Sequence, residues 1–290
     1  MTRLEYTFKT DTLFKMLFVQ NPDLLKRLVC ELLRIRLESI GQFEIKNPEM
    51  PPESLDGKFC RLDINMTVDG QLVDLEIQVR DEKDYPERVL YYWAREYSTA
   101  LPESGDYKDL PRTVIISIIS FNQFESPEFH SEFCPLEVKR HELLSDRMSL
   151  HFFELKKIPA HPLTANDKLL LWLSLFKAET QEELEKIKAL EEPVMEQAIN
   201  AYQKITATPE FREMERMRSY ARHNEAAALR HARDEGIELG EALGEARGEA
   251  RGMEKRTQEV AKSALAEGAS VDFVQKITGL DMETIQRLAQ

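Results

Sequence analysis

The chain is poor in cysteine and tryptophan, and it has little glycine outside one short stretch. Its three cysteines (Cys30, Cys60, Cys134) are odd in number and far apart, which excludes a disulfide framework and offers no zinc-ligand spacing. A reducing cytoplasm is the simplest expectation. No apolar run approaches the roughly 18 residues of a membrane span, and the opening MTRLEYTFKTD lacks the apolar core of a secretory signal. No membrane partner is expected. There is no GxxxxGK loop to cradle phosphate, no G-x-S-x-G elbow and no pair of histidines at metal spacing; the six histidines are scattered along the sequence. Basic charge is also short. A net charge of −13 excludes a generic basic nucleic-acid binder, because neutralising phosphates drives such binding. An enzyme with local basic groups stays open, since Lys9, Lys15, Lys58, Arg61, Arg80, Lys83, Arg88 and Arg95 gather around one segment.

That segment, RLDINMTVDGQLVDLEIQV at 61–79, is where the chemistry concentrates. Asp69-Gly70 between two alternating runs is a strong signal for a two-residue hairpin turn, since both turn positions need positive φ. Closing the hairpin there sets Val68 opposite Gln71, Asp63 opposite Glu76 and Arg61 opposite Gln78. One face then carries Leu62, Ile64, Met66, Val68, Val73, Leu75, Ile77 and Val79, and the other Arg61, Asp63, Asn65, Asp74, Glu76 and Gln78. A one-residue slip would exchange the faces, so the register is well determined. Like charges directly opposite on a sheet destabilise it, and two close carboxylates resist double ionisation. A divalent cation between Asp63 and Glu76 removes that cost. Mg²⁺ accepts few protein ligands and keeps several waters, and it can polarise a phosphodiester and acidify an attacking water. Gln78, on the same face, is placed to orient that water or to contact phosphate. The competing reading is a solvated polar face with Arg61 as its ion partner.

At 290 residues, 42% hydrophobic and 31% charged, the chain can bury a sizeable core and carry an appendage. Helical spacing runs through residues 11–36, broken at Pro22, and puts Asp11 and Lys15 on one face. Residues 41–60 are proline-containing loop with one strand near Phe43–Ile45. A helix is predicted over 86–100, with Pro86 in its first turn and Arg88, Tyr91, Tyr92 and Arg95 on adjoining faces. RTVIISIISF reads as a buried strand and RMSLHFFELKKI, at 147–158, as an alternating one. Together these make an α/β or α+β core with a central sheet. Residues 164–222 are helical, with Thr180 and Glu183 spaced as a capping box. Then Gly236, Gly240, Gly244, Gly248 and Gly252 recur every four residues. Each costs a helix about 1 kcal/mol relative to alanine, so the stretch is either a smooth ridge for helix packing or a flexible tether. The last segment reads as three helices, turned at Gly268 and at Thr278-Gly279; its spacing suits a helix-turn-helix, but its final helix has no basic face for DNA.

An acidic residue, a turn, then Glu-x-Lys or Glu-x-Gln resembles the PD-(D/E)XK nuclease superfamily, and more narrowly its recombination-promoting nuclease and putative transposase family. The resemblance rests on TDTLFKMLF at 10–18, LDINMTVDGQLVDLEIQV at 62–79, RVLYYWAREYSTAL at 88–101 and GDYKDLPRTVIIS at 105–117, and on the glycine repeats and terminal TGLDMETI segment. It implies a restriction-endonuclease-like α/β fold, with a central mixed sheet flanked by helices and a helical C-terminal extension. It also implies Mg²⁺-dependent cleavage of DNA, with Mn²⁺ able to substitute. Carried over, Asp63 and Glu76 are the acidic ligands, the Ile77 carbonyl is a third, and Gln78 stands where the superfamily has lysine. Lys15, Arg88 or Lys58 would make up for the missing charge. Asp11 and Lys15 match the first-helix motif, and Arg88 with Tyr92 the helix after the hairpin. Leu62 replaces the eponymous proline. The expected organisation is a nuclease-like core at 1–160, a helical extension at 161–230, a glycine-repeat linker or helix at 231–256 and a small helical module at 257–290. Two functions stay open: a metal-dependent endonuclease linked to recombination or transposition, and a catalytically silent nuclease fold serving as an interaction scaffold. A homo-oligomer formed through the glycine-repeat tail is compatible with either.

Overall fold

The computed structural model of the protein describes residues 2–46, 64–101, 105–160 and 162–289. Two compact units divide the chain, Met1–Glu215 and Arg216–Gln290.

The first unit is built on a six-stranded mixed sheet in the order β1-β2-β3-β4-β6-β5, comprising β1 (Phe43–Ile45), β2 (Ile64–Val68), β3 (Gln71–Gln78), β4 (Thr113–Ile119), β5 (His130–Phe133) and β6 (Met148–Glu154). The β2–β3 hairpin has the register read from the sequence, with Val68 opposite Gln71, Met66 opposite Val73 and Ile64 opposite Leu75. Its turn works as the composition requires, with Asp69 at φ 47° and Gly70 at φ 78°. The Asp69 carboxylate accepts from the backbone N–H groups of Gly41 and Gln42 at 2.9 and 2.7 Å, which docks the hairpin tip on the chain entering β1.

β3, β4 and β6 run parallel, and Gln78, Ile119 and Glu154 align at their C-terminal ends. β4 (TVIISII) is buried along its whole length, as expected of a central parallel strand rich in β-branched residues. β6 occupies the alternating stretch read from the sequence, yet six of its seven residues are buried, so both faces are covered. The edge strand β5 went unread because HSEF carries no apolar alternation. Asp63, Lys58, Arg61, Leu62 and Cys60 lie outside the described residues.

Helices cover both faces of the sheet. On one side α1 (Asp11–Gln20), α2 (Pro22–Leu33), α4 (Lys168–Lys177), α5 (Gln181–Lys188) and α6 (Pro193–Thr206) join Ile64, Met66, Val73, Leu75, Ile116 and Ile118 in a single core. On the other, α3 (Tyr85–Thr99) contributes Tyr85 and Val89 to a smaller cluster with Ile115, Ile119, Phe121, Leu150 and Phe152. The capping box at Thr180 is present, its hydroxyl accepting from the Glu183 N–H and the Glu183 carboxylate accepting from the Thr180 N–H.

α7 (Pro209–Ala266) is helical throughout and includes all five repeat glycines; a Cβ built on any of them meets nothing within 4 Å. In the second unit, α8 (Val271–Thr278) and α9 (Met282–Leu288) are capped by Ser270 and Asp281, and Val274 and Ile285 pack with Ala261 in a small core. Among the described residues, no helix is long and apolar enough to cross a membrane.

Candidate active site

Strand alternation sends Val73, Leu75 and Ile77 toward the large helical layer and Asp74, Glu76 and Gln78 toward α3. That second face is covered at its centre. Asp74 and Glu76 are only 3% and 5% exposed, because β4 covers one flank of β3 and α3 lies over the face. The reading of a solvated polar face is therefore corrected. It failed because a hairpin was considered by itself, without the helix that follows it in a strand–helix–strand unit.

Burying a carboxylate is costly unless a donor or a cation meets it. For Glu76 one donor is the phenol of Tyr85, whose O–H reaches Oε2 at 3.3 Å. Beside Glu76 in the parallel register stands Ser117, fully buried, and its hydroxyl has no hydrogen-bond partner among the described residues. Asp74 lies opposite Asn65 on β2, where a small cavity of about 70 Å³ is lined by Lys46, Asn65, Asp74, Glu96 and Thr113.

The other site residues read from the sequence are placed as follows. Gln78 ends β3, and its amide Nε2 donates to the Arg80 carbonyl at 2.9 Å, so the side chain bridges the strand end. Arg88, on α3, forms an ion pair with Glu82 and sets its guanidinium 4.9 Å from the centre of the Tyr85 ring. Tyr92 is half-buried on the same helix, its ring 6.0 Å from that of Tyr91. Asp11 and Lys15 belong to α1, in the layer on the opposite face of the sheet from Glu76. Lys15 is 2% exposed, a core position on the helix face it shares with Asp11. Lys9 is held by Glu179 at 3.1 Å. The basic cluster around the hairpin is thus partly spent inside the protein. Asp63, across from Glu76 in the sequence-derived register, is outside the described residues.

The donor set at Glu76 is chemically suited to Mg²⁺: a carboxylate, the Ile77 backbone carbonyl and a neighbouring amide are all hard oxygen-bearing groups, and this ion needs one or two carboxylates with waters completing its shell. No group of three or more His, Cys, Asp or Glu arranged to hold an ion occurs among the described residues.

Sequence reasoning missed Tyr85, a residue in an otherwise ordinary helix start. It also missed a second polar cluster. His130 and His151, counted as scattered, meet across β5 and β6, with His130 Nε2 and His151 Nδ1 at 3.1 Å. His151 Nε2 is 2.9 Å from Ser149 Oγ, which donates to Glu132 Oε1 at 2.9 Å. One proton arrangement satisfies every link: His130 donates to His151, His151 to Ser149, and Ser149 to Glu132. Burial pushes His151 down to about 4, and the neighbouring His130, Arg112 and Arg34 add to the depression while Glu132 opposes it. His130 is lowered as well, first by burial and then by Arg34. The antiparallel pairing that joins these residues is invisible until β5 is recognised.

At the same end of the sheet as Gln78, Glu154 is buried and paired with Lys157 at 2.7 Å, and it accepts from the Gln123 N–H at 2.6 Å. It anchors the segment after β4 and takes no part at Glu76. A groove of about 610 Å³ between α1 and α6, lined by Met16, Gln20, Glu196, Asn200 and Lys204, lies among the helices of the opposite layer.

No curated protein and no solved structure matches the chain. The family described as PD-(D/E)XK nuclease family transposase matches residues 8–232, a span that includes the whole sheet, α3 and both carboxylate positions of the hairpin. A mixed sheet with helices on both faces and an acidic residue buried on its central hairpin strand is the restriction-endonuclease-like arrangement, and the chain belongs to the PD-(D/E)XK nuclease family of transposases.

Proposed function

We propose that the protein is a metal-dependent DNA endonuclease, hydrolysing phosphodiester bonds in the service of transposition or recombination, with Asp63 and Glu76 as the ligands of one Mg²⁺ or Mn²⁺. The observation that carries this reading is the buried Glu76 carboxylate beside the C-terminal ends of three parallel strands, in a chain of a nuclease family. A bound Mg²⁺ supplies Lewis acidity toward a phosphodiester oxygen and toward water. Glu76 and Asp63 provide the negative charge that holds it, and the Ile77 carbonyl is the third protein oxygen. Gln78 is neutral, so it orients water or phosphate and contributes no charge to the transition state. The exposed cations near the strand end, Arg80 and Lys83, are the groups best placed to meet a DNA backbone.

The catalytic core in this reading is 1–160, followed by the helical extension 161–230, the glycine-repeat helix 231–256 and the terminal module 257–290. We assign the glycine-repeat helix to self-association; Leu239 and Leu243 are exposed there beside glycines that leave room for close approach. We place the protein in a reducing cytoplasm, the expectation that its three widely spaced cysteines carry.

The test of the metal site is thermal. Ligands of the folded state raise its stability by mass action, about 2.7 kcal/mol at a hundredfold excess over Kd. Mg²⁺ or Mn²⁺ is expected to raise the Tm of the wild type and to leave Asp63→Ala unmoved. An equal rise in both removes Asp63 from the site.

A further inference from the structure

Tyr85 opens α3, and its side chain is fully buried. Buried phenols spend their O–H on a partner, and here that partner is Glu76 Oε2 at 3.3 Å. The ring is gripped on several sides. Phe121 and Phe152 meet it edge-on at centroid distances of 5.9 and 6.2 Å. The Arg88 guanidinium lies 4.9 Å from its centre and is itself paired with Glu82. A ring so confined presents its hydroxyl in one direction only, and a cation over the ring makes the phenol a stronger donor.

We propose that Tyr85 is the positioning residue of the site, fixing through its hydroxyl which oxygen of Glu76 is presented to the ion, with Arg88 acting through the Tyr85 ring. The proposal rests on the reading of Glu76 as an ion ligand. A carboxylate on a flexible side chain has two equivalent oxygens and several rotamers. A donor on Oε2 selects one orientation before the ion arrives, so less order has to be created on binding. Partners of this kind typically control affinity by about 10- to 100-fold. The arrangement also assigns Arg88 a place. It is paired with Glu82 and stacked on Tyr85, so its charge reaches the site through the tyrosine.

The experiment is a titration of Mn²⁺ alone, without DNA, into the full chain and its Tyr85→Phe variant. Binding is followed by the electron paramagnetic resonance of free Mn²⁺ and, in parallel, by Tm. Tyr85→Phe keeps the ring and loses only the hydroxyl, so a residue that merely fills the core would leave the titration unchanged. The expected result is a midpoint moved about 10- to 100-fold toward higher Mn²⁺. Val89→Ala, which thins the same apolar cluster without touching the hydroxyl, is expected to lower Tm and keep the wild-type midpoint. Arg88→Met is expected to move the midpoint in the same direction as Tyr85→Phe by a smaller factor, which keeps the test decisive if Tyr85→Phe fails to fold. Wild-type midpoints in Tyr85→Phe and Arg88→Met overturn the role of Tyr85 and leave the metal reading intact. A wild type that binds no Mn²⁺ overturns the metal reading, and the positioning role with it.

Discussion

At the scale of single residues, the protein buries a few of its ionisable groups, Glu76, Glu154 and His151 among them, and meets them with hydrogen bonds. Glu76 is the instance that bears on activity. Holding a buried carboxylate without an ion costs stability, and exchanging it for a neutral group of the same shape removes that cost. Glu76→Gln is therefore expected to melt no lower than the wild type in EDTA, and to lose the upward shift that Mn²⁺ gives the wild type. A variant that melts lower in EDTA yet still responds to Mn²⁺ would show the carboxylate to be structural. His151 is the instance that bears on pH. Its folded pKa, about 4, lies below the ordinary 6.5, and His130 is displaced the same way. Between those values the unfolded chain binds more protons than the folded one. The stabilisation is thus complete above about pH 6.5 and is lost as pH falls toward 4, on the order of 3 kcal/mol for His151. Burial sets most of this window, and the groups facing His151 adjust it: Glu132 on β5 opposes the depression, while His130 on β5, Arg112 before β4 and Arg34 at the end of α2 add to it. Tm measured from pH 7 to pH 4.5 should fall more steeply for the wild type than for His151→Gln, and equal slopes would contradict the assignment.

At the scale of elements, the β2–β3 register was legible from Ile64–Leu75 to Val68–Gln71, because alternation and Asp69-Gly70 over-determine a register that burial then enforces. The starts at Pro22 and Pro86 and the turns at Gly268 and Gly279 were legible for similar reasons, each being a local rule about caps or φ. The cover over Glu76 was not. It depends on where α3 docks, and nothing in the hairpin itself records that. The polar chain from His130 to Glu132 was equally hidden, because it needs an edge strand with no apolar rhythm of its own. The glycine repeat was legible as a pattern and ambiguous as a structure; its cost per residue is real, but the flanking helix formers carry the helix through. Since no atom lies within 4 Å of a Cβ at Gly240, Gly244 or Gly248, alanine there should raise the helix's thermal stability by up to about 1 kcal/mol per site. Far-UV circular dichroism measures it. Oligomer mass by light scattering should fall at the same time, because a Cβ blocks the close approach that the proposed self-association gives these glycines; a more stable helix at unchanged mass would contradict that assignment.

At the scale of the whole molecule, an acidic chain belongs to a nuclease family, and the tension between those facts is resolved locally. Net charge governs long-range attraction to DNA, whereas cleavage in the proposed reading depends on a few groups at one sheet end. The excess negative charge should make DNA binding weak at physiological salt, and the proposed ion at Glu76 would offset that repulsion locally. The measurement that decides most is nicking of supercoiled plasmid by the full chain in Mg²⁺ and in Mn²⁺, with Glu76→Ala beside the wild type. Cleavage that stops in EDTA and falls more than about 100-fold in Glu76→Ala is expected, since even the partner of a metal ligand is worth about 10- to 100-fold. Cleavage that survives the substitution, or a folded wild type that cuts nothing with either ion, would contradict a metal-dependent nuclease centred on Glu76.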